Sequence, residues 1–200
     1  MKKPLILLVG AGGHCRSCID VVEQDGRYQI AGVVDRPGAD SPADVLGYPI
    51  LGNDDDLGRL HAEIGFALVT VGQMRCADVR VGIYKRLKAL GYLLPVIRSP
   101  VSYLARSAEV GEGTVVMHGV TVNAAARVGC NCILNSHCLI EHDAMVEDHC
   151  HISTGALVNG QAHVGAGSFI GSGAVVVQSE KVPNGSFVKA RSLFYSGKKV

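Results

Sequence analysis

Residues 127–156 divide into five units of six residues, RVGCNC, ILNSHC, LIEHDA, MVEDHC and HISTGA. The second residue of every unit is a branched aliphatic, and this pattern continues on both sides of the stretch. A period of six is typical of a parallel β-helix, in which each unit forms one side of a triangular coil. The positions of the series are Leu104, Val110, Val116, Val122, Val128, Leu134, Ile140, Val146, Ile152, Val158, Val164, Ile170, Val176, Val182 and Val188.

Two companion positions in each unit indicate a narrow prism. The residue two places before the branched one is mostly small, as at Ala126, Cys132 and Cys138. Alternation along a strand turns both positions inward, so each side of the core takes one branched and one small side chain. The residue three places after the branched one is mostly Gly, Asn, Asp or His, which tolerate a positive φ, so we expect corners there. Three sides give a coil of about 18 residues, with coils about 4.8 Å apart.

The residue between the two inward positions points outward, and stacking by coil sorts these residues into three columns. Two columns are largely apolar and one is largely polar. Exposed apolar stripes indicate a partner surface, and two of them on one prism favour a closed cyclic assembly, most simply a trimer. The columns are Val115, Ile133, His151 and Phe169; Thr121, Leu139, Leu157 and Val175; and Arg127, Met145, His163 and Lys181.

The first half of the chain follows a different pattern, in which apolar strands alternate with amphipathic helices. This order predicts a parallel sheet covered on both faces. We therefore predict a Rossmann-like domain at residues 1–97 and a left-handed parallel β-helix domain at residues 98–200. The predicted strands are Leu5–Val9, Tyr28–Val34, Phe66–Val71 and Leu93–Ile97, and the predicted helices are His14–Glu23, Asp54–Glu63 and Ala77–Leu90.

The composition excludes several classes of protein. Apolar residues make up 48% of the 200 residues, which argues against a disordered chain. The formal net charge of +1 argues against a nucleic-acid or anionic-membrane partner. No apolar run is long enough for a membrane span or a signal peptide. We expect a cytoplasmic protein with reduced thiols. The spacing Cys15-Arg16-Ser17-Cys18 is compatible with redox chemistry, but we favour packing.

A glycine-rich turn follows the first predicted strand. Gly10, Gly12 and Gly13 precede a helix, where backbone N–H groups can approach a phosphate closely. Asp35 ends the next strand, a position from which a carboxylate can bind a ribose hydroxyl. These residues favour nucleotide binding over a purely structural turn, and they leave NAD and a nucleotide sugar both open.

Two histidines of the β-helix stand at positions that the repeat does not explain. His142 is neither inward nor at a corner, and its neighbours one coil away are the small Ala124 and Gly160. His151 interrupts an apolar outward column, where an unpaired ring would be costly. Imidazole titrates near neutrality and can act as a general base. We favour a functional role for both, the alternative being a buried structural histidine.

These residues together carry a family resemblance. The turn Gly10–His14, the alternating first half, Asn135 and the stretch Ile140-Glu141-His142-Asp143 resemble the bacterial sugar acyltransferases of the hexapeptide superfamily. That family includes the UDP-4-amino-sugar N-acetyltransferases of bacillosamine synthesis, the GDP-perosamine N-acetyltransferases and the NeuD-type sialic acid O-acetyltransferases. The resemblance covers nearly the whole chain.

The resemblance implies an acetyl-CoA-dependent N-acetyltransferase of a nucleotide-linked amino sugar in bacterial surface glycan or glycoprotein synthesis. It implies a homotrimer that holds acetyl-CoA along the β-helix between subunits, with direct transfer and no metal. His142 would be the general base and Asp143 would orient its ring. His151 would contact the acetyl carbonyl, either His151 or a backbone N–H would donate to the oxyanion, and Asn135 would position substrate. Gly160 and Ser172 would line the CoA channel, and the nucleotide-sugar side would be Gly10, Gly12, Gly13, His14 and Asp35.

Two departures and three alternatives accompany this interpretation. Arg36 stands where the family often has a second acid, and Val188–Ser192 replaces a usual glycine- and proline-containing segment. A sialic acid-type O-acetyltransferase is one alternative. A γ-carbonic-anhydrase-like zinc enzyme is the second, suggested by the spacing of His137 and His142. A non-catalytic NAD-binding scaffold is the third.

Overall fold

The computed structural model describes residues 3–36 and 43–197. The start of the first predicted domain, residues 1–2, and the end of the second, residues 198–200, lie outside the described residues. The first part of the chain is an α/β domain. None of the helices in the described ranges is both long and apolar enough to cross a membrane. The elements are β1 (Leu5–Val9), α1 (Gly13–Asp25), β2 (Gln29–Val34), β3 (Asp44–Val45), β4 (Tyr48–Gly52), a 3-10 turn (Asp54–Asp56), α2 (Leu57–His61), β5 (Phe66–Val69) and α3 (Asp78–Ala89).

The strands of this domain form one sheet in the order β3-β4-β2-β1-β5. The pairs β4–β2, β2–β1 and β1–β5 are parallel, and β3 is antiparallel to β4. Alternate residues of β1 join different cores: Ile6 and Leu8 belong to the cluster that contains α1, and Leu7 and Val9 to the one that contains α2 and α3. The predicted parallel sheet with helices on both faces is therefore confirmed.

Two details of this domain differ from the sequence prediction. β3 and β4 were not expected, because the segment between Asp35 and Asp54 is rich in Gly, Pro and Asp, which disfavour strands. The strand predicted at Leu93–Ile97 is divided between the two architectures. Leu93 makes an isolated bridge to Phe66 of β5, whereas Ile97 pairs with Val115 in the β-helix. Apolarity alone predicted a strand here but could not identify its partner.

The rest of the described chain is a left-handed β-helix of short parallel strands that form three faces. The first face has the order β21-β18-β15-β12-β9-β6, the second β22-β19-β16-β13-β10-β7 and the third β20-β17-β14-β11-β8. The strands are β6 (Ile97–Arg98), β7 (Tyr103–Leu104), β8 (Glu109–Val110), β9 (Val115–Val116), β10 (Thr121–Val122), β11 (Arg127–Val128), β12 (Ile133–Leu134), β13 (Leu139–Ile140), β14 (Met145–Val146), β15 (His151–Ile152), β16 (Leu157–Val158), β17 (His163–Val164), β18 (Phe169–Ile170), β19 (Val175–Val176), β20 (Lys181–Val182), β21 (Phe187–Val188) and β22 (Leu193–Phe194).

The predicted period is confirmed in detail. Each residue of the branched series is the second residue of a strand, and those from Val116 to Val188 are buried in the prism. Cys132, Cys138 and Cys150 fill small inward positions and are buried. The predicted corner residues have positive φ, including non-glycine residues such as Asn131 at 52° and His149 at 60°.

The three outward columns are also confirmed by strand register, but one expectation about them is wrong. Val115 pairs with Ile133, Ile133 with His151, and His151 with Phe169, as predicted for the first face. All four are buried, because the α/β domain of the same chain covers this face through α1 and the loop before α3. The apolar stripe that we expected to bind another subunit therefore binds the chain's own first domain. The second face, with half-buried Leu139, Leu157 and Val175, stays accessible in the single chain.

Candidate active site

The glycine-rich turn lines a cavity of about 430 Å³ at the carboxyl ends of β1 and β2. Gly10 has φ 113°, and a Cβ there would meet the side chain and backbone nitrogen of Val71, so only glycine fits. Among the described residues, no atom lies within 4 Å of a Cβ position at Gly12 or Gly13, so this part of the chain leaves the space above them open. Gly12 is the N-cap of α1 without any side-chain cap, so the first N–H groups of the helix face this space.

The cavity brings together all five residues predicted on the nucleotide-sugar side. Gly10, Gly12, Gly13, His14 and Asp35 line it. Arg36, Asp54 and Val79 line it too, although the sequence pattern did not single them out as ligand contacts. Arg36, which stands where the family often has a second acid, thus faces the same cavity as the glycine turn. It adds a cation to a site suited to a phosphate.

His14 links this cavity to the β-helix. Its ring centroid lies 6.5 Å from that of His151, and its buried Nε2 has no hydrogen-bond partner among the described residues. Burial first, and then the charge of Arg80, lowers the pKa of His14 to about 3. The imidazole is therefore neutral at physiological pH.

His151 is also buried, and both ring nitrogens have partners. Nδ1 lies 2.6 Å from the main-chain oxygen of Gln73, and Nε2 lies 3.3 Å from Asn135 Nδ2. Burial is the main cause that lowers its pKa to about 4; the carbonyl of Gln73 opposes this shift and the Arg80 charge adds to it. The polar ring in an apolar column is thus explained by hydrogen bonds to both sides.

His142 is in the opposite environment, because its side chain is 54% exposed. Its Nδ1 lies 2.9 Å from Asp143 Oδ2, and its backbone N–H donates to Glu141 Oε2. A Cβ at Gly160 would lie 2.8 Å from His142 Nε2. The slot that the sequence predicted beside His142 therefore exists, and Gly160 is the residue that provides it.

The remaining predicted contact, Ser172, is an exposed residue whose hydroxyl bonds with that of Ser153 at 2.9 Å. Asn135, Ser153 and Ser172 lie beside the first face. His142 and Gly160 follow strands of the second face, one corner further along the coil. Within one chain, the predicted catalytic pair and the Asn135–His151 pair therefore stand on different edges of the prism.

Two further residues join this region although no motif marked them. Gln73 donates from Nε2 to the carbonyls of His149 and Gly167. Arg80 is buried in α3 and donates to Asn131 of the β-helix. Arg80, Ile83 and Leu87 share the buried side of α3. A cationic residue at the same helical spacing as the apolar Ile83 and Leu87 is the signal that could have identified Arg80.

Thiol redox chemistry has no support at the Cys15/Cys18 spacing. Both side chains are buried against the sheet, and burial raises the pKa of Cys18 to about 12. Within residues 3–36 and 43–197, no group of three or more His, Cys, Asp and Glu side chains is arranged to hold a metal ion.

The lowered pKa values of His14 and His151 predict that the stability of the protein depends on pH. Their pKa values of about 3 and about 4 lie below the unfolded value of 6.5. Between about pH 5 and 6.5 the unfolded chain binds more protons, so stability falls as the pH falls, with a slope that approaches about 1.4 kcal/mol per pH unit for each histidine near pH 5. Urea unfolding across this window measures the slope. His151→Gln should reduce the slope, whereas Gln24→Met, which changes an exposed side chain of α1 that does not titrate, should leave it unchanged. An equal slope in all three proteins would contradict the prediction.

Comparisons with known proteins find the same fold in solved acetyltransferases. Residues 5–87 match the family model described as the PglD N-terminal domain. The acetyltransferase domain of PglB from Neisseria gonorrhoeae FA1090, solved in complex with acetyl coenzyme A, is 29% identical with a TM-score of 0.88; 97% of this chain and 92% of that chain are covered. A variant of perosamine N-acetyltransferase from Caulobacter crescentus, in complex with CoA and GDP-perosamine, is 27% identical with a TM-score of 0.89, covering 95% of this chain and 88% of that one.

WeeI from Acinetobacter baumannii AYE has the same fold at 20% identity, with a TM-score of 0.73 and 94% of each chain covered. No curated protein matches the chain. The fold of this chain, an α/β domain followed by a left-handed β-helix, is therefore shared by these three proteins. Residues 5–87 thus match the PglD N-terminal domain, and nearly the whole chain is similar to solved acetyltransferases, in agreement with the resemblance of its sequence.

Proposed function

We propose that the protein transfers an acetyl group from acetyl-CoA to the amino group of a nucleotide-linked amino sugar. The observation that carries this proposal is the His142–Asp143 pair, with a 2.9 Å contact at Nδ1 and the Nε2 edge of the ring above Gly160. A carboxylate oxygen can only accept, so Nδ1 carries the proton and Nε2 keeps a lone pair. An exposed imidazole in this tautomer is suited to general base catalysis.

The transfer needs no covalent enzyme intermediate. The sugar amine attacks the thioester carbonyl, forming the C–N bond, while its proton passes to His142 Nε2. Collapse of the tetrahedral intermediate breaks the C–S bond, and the proton on Nε2 passes to the departing CoA sulfur. Asp143 stabilises the imidazolium between these two steps. The net products are an amide and a free thiol, so the cysteines have no role in the reaction.

The cavity at the glycine turn is the proposed site for the nucleotide. The free N–H groups at Gly12 and Gly13 suit a diphosphate, and Asp35 suits a ribose hydroxyl. Arg36 lines the same cavity and can add a charge-assisted contact to the diphosphate. The neutral His14 would bind the part of the substrate nearest the β-helix. Asn135 would then position the sugar, and His151, Gly160 and Ser172 would lie along acetyl-CoA.

We further propose that the active enzyme is a homotrimer with sites shared between subunits. His142 and Asn135 lie on different edges of one prism, so a neighbouring copy is needed to bring such edges together. The accessible second face, with its apolar column and the exposed Leu193, supplies a surface for this contact. A role in bacterial surface glycan synthesis and a cytoplasmic location follow from the same interpretation, since seven free thiols suit a reducing compartment.

Substitution of the proposed base tests the reaction directly. His142→Ala should lower kcat by about 10²–10⁴ because general base help is lost. The assay is thiol release from acetyl-CoA with a panel of UDP- and GDP-linked amino sugars, with hydroxyl-only analogues to reveal O-acetylation. His163→Ala, a histidine paired with Glu147 on the third face, is the matched control and should keep full activity. Normal transfer by purified His142→Ala would refute the mechanism.

The cavity makes a separate prediction about substrate binding. In Gly12→Val the new side chain would enter the open space above the turn, so the KM for the nucleotide sugar should rise tenfold or more. The KM for acetyl-CoA should not change. Gly65 also has open space around its Cβ position but lies outside the cavity, so Gly65→Val is the control. A parallel rise in both KM values would place the nucleotide elsewhere.

Shared sites can be tested by mixing two inactive subunits. His142→Ala and Asn135→Ala subunits with different tags should each be inactive alone. In trimers that contain both variants, one of the three interfaces joins an intact His142 to an intact Asn135 of the neighbouring copy, which restores about a third of the activity. If both residues served one site within a single chain, the doubly tagged trimers would stay inactive.

A further inference from the structure

The proton on His151 is placed by its neighbours. A main-chain oxygen can only accept, so the 2.6 Å contact with the carbonyl of Gln73 requires the proton on Nδ1. In the neutral ring Nε2 is then an acceptor, and it faces Asn135 Nδ2. The amide of Asn135 is itself oriented, because its Oδ1 accepts from the N–H of Ser136 at 2.8 Å. His151 therefore differs from the donor that the sequence analysis named as one of two possibilities.

The carbonyl that binds His151 belongs to a loop that is fastened to the β-helix at both ends. Gln73 is buried and donates from Nε2 to the oxygens of His149 and Gly167, at 3.0 and 3.3 Å. Arg80 donates from Nη2 to the oxygen and Oδ1 of Asn131, at 3.2 and 2.9 Å. Asn131, His149 and Gly167 are successive corners of one column, each 18 residues after the last. The two side chains thus hold three consecutive coils.

Arg80 also fixes the start of the same loop. Its Nη1 donates to the oxygens of Val69 and Val71, at 3.0 and 2.6 Å, where β5 ends and the loop begins. Among the hydrogen bonds and ion pairs of the described residues, its guanidinium has only oxygens of Val69, Val71 and Asn131 as partners, and no carboxylate. A buried cation without a counter-ion disfavours a second charge nearby, and its effect reaches both His14 and His151.

We propose that Gln73 and Arg80 of the α/β domain are positioning residues that hold His151 of the β-helix in the Nδ1-protonated form. Held this way, His151 accepts from one N–H of Asn135 and turns the second N–H of that amide outward. This second N–H is the donor available to an acyl carbonyl oxygen. The consequence for catalysis rests on the proposed function, but the protonation of His151 does not.

The tautomer can be read directly in the full-length protein. Nitrogen-15 spectra of histidine-labelled enzyme distinguish protonated from bare Nδ1 and Nε2, and His151→Gln identifies the resonance. At pH 7 we expect a protonated Nδ1 and a bare Nε2 on His151. A proton on Nε2 of His151, or a charged ring, would overturn the proposal. This measurement needs only the wild-type spectrum, whether or not acetyl transfer is ever detected.

Variants test the positioning role. Gln73→Met keeps the side-chain length but removes both donors, so His151 should show a mixture of tautomers and kcat should fall about tenfold, with the KM for the nucleotide sugar unchanged. Arg80→Met should shift the titration of His151 toward higher pH, and Arg80→Lys should restore it in part. Gln24→Met, an exposed glutamine of α1, should match wild type. An unchanged His151 spectrum and unchanged kcat in Gln73→Met would overturn the proposal.

Discussion

Parallel pairing between strands 18 residues apart is the constraint on which the rest of the structure depends. Once Ile133 is hydrogen-bonded beside His151, every residue has fixed neighbours one coil below and one coil above. The same step puts Gly160 beside His142 and aligns Asn131 with His149 and Gly167. The backbone between these positions repeats from coil to coil. The side chains at these positions therefore determine which sites the surface of the prism can form.

The seam between the two architectures shows what this regularity makes possible. The first face presents Val115 and Ile133 in register, and α1 of the first domain covers this face, so the apolar surface needs no partner chain. Covering this face has a cost, because a row of main-chain carbonyls at the corners loses its contact with water. Gln73 and Arg80 satisfy part of that row, and the buried charge of Arg80 is tolerable because four hydrogen bonds replace its hydration.

The sequence predicted local periodicity well and long-range partners poorly, for a physical reason. The inward series, the positive φ corners and the slot at His142 depend only on spacing along one repeating coil, so they could be read from one sequence. The partner of the first face could not, because a column such as Val115–Ile133 has the same composition whether a domain or a subunit covers it. Ile97 illustrates the same limit: its apolarity predicts a strand in either architecture. The role of Gln73 was missed because its main-chain carbonyl, and not its side chain, binds His151. A backbone carbonyl leaves no pattern in a sequence.

The two histidines of the proposed site show how one residue type serves two purposes. His142 is exposed and paired with a carboxylate, so it can gain a proton and stabilise the charge during a reaction cycle. His151 is buried beside Arg80, so a proton gained there would be costly, and its fixed lone pair is suited to orientation rather than proton transfer. An assignment from residue type alone would have made them equivalent. The difference comes from the first domain, which covers one edge of the prism and leaves the other open, and so gives the proposed general base and the proposed orienting histidine different environments.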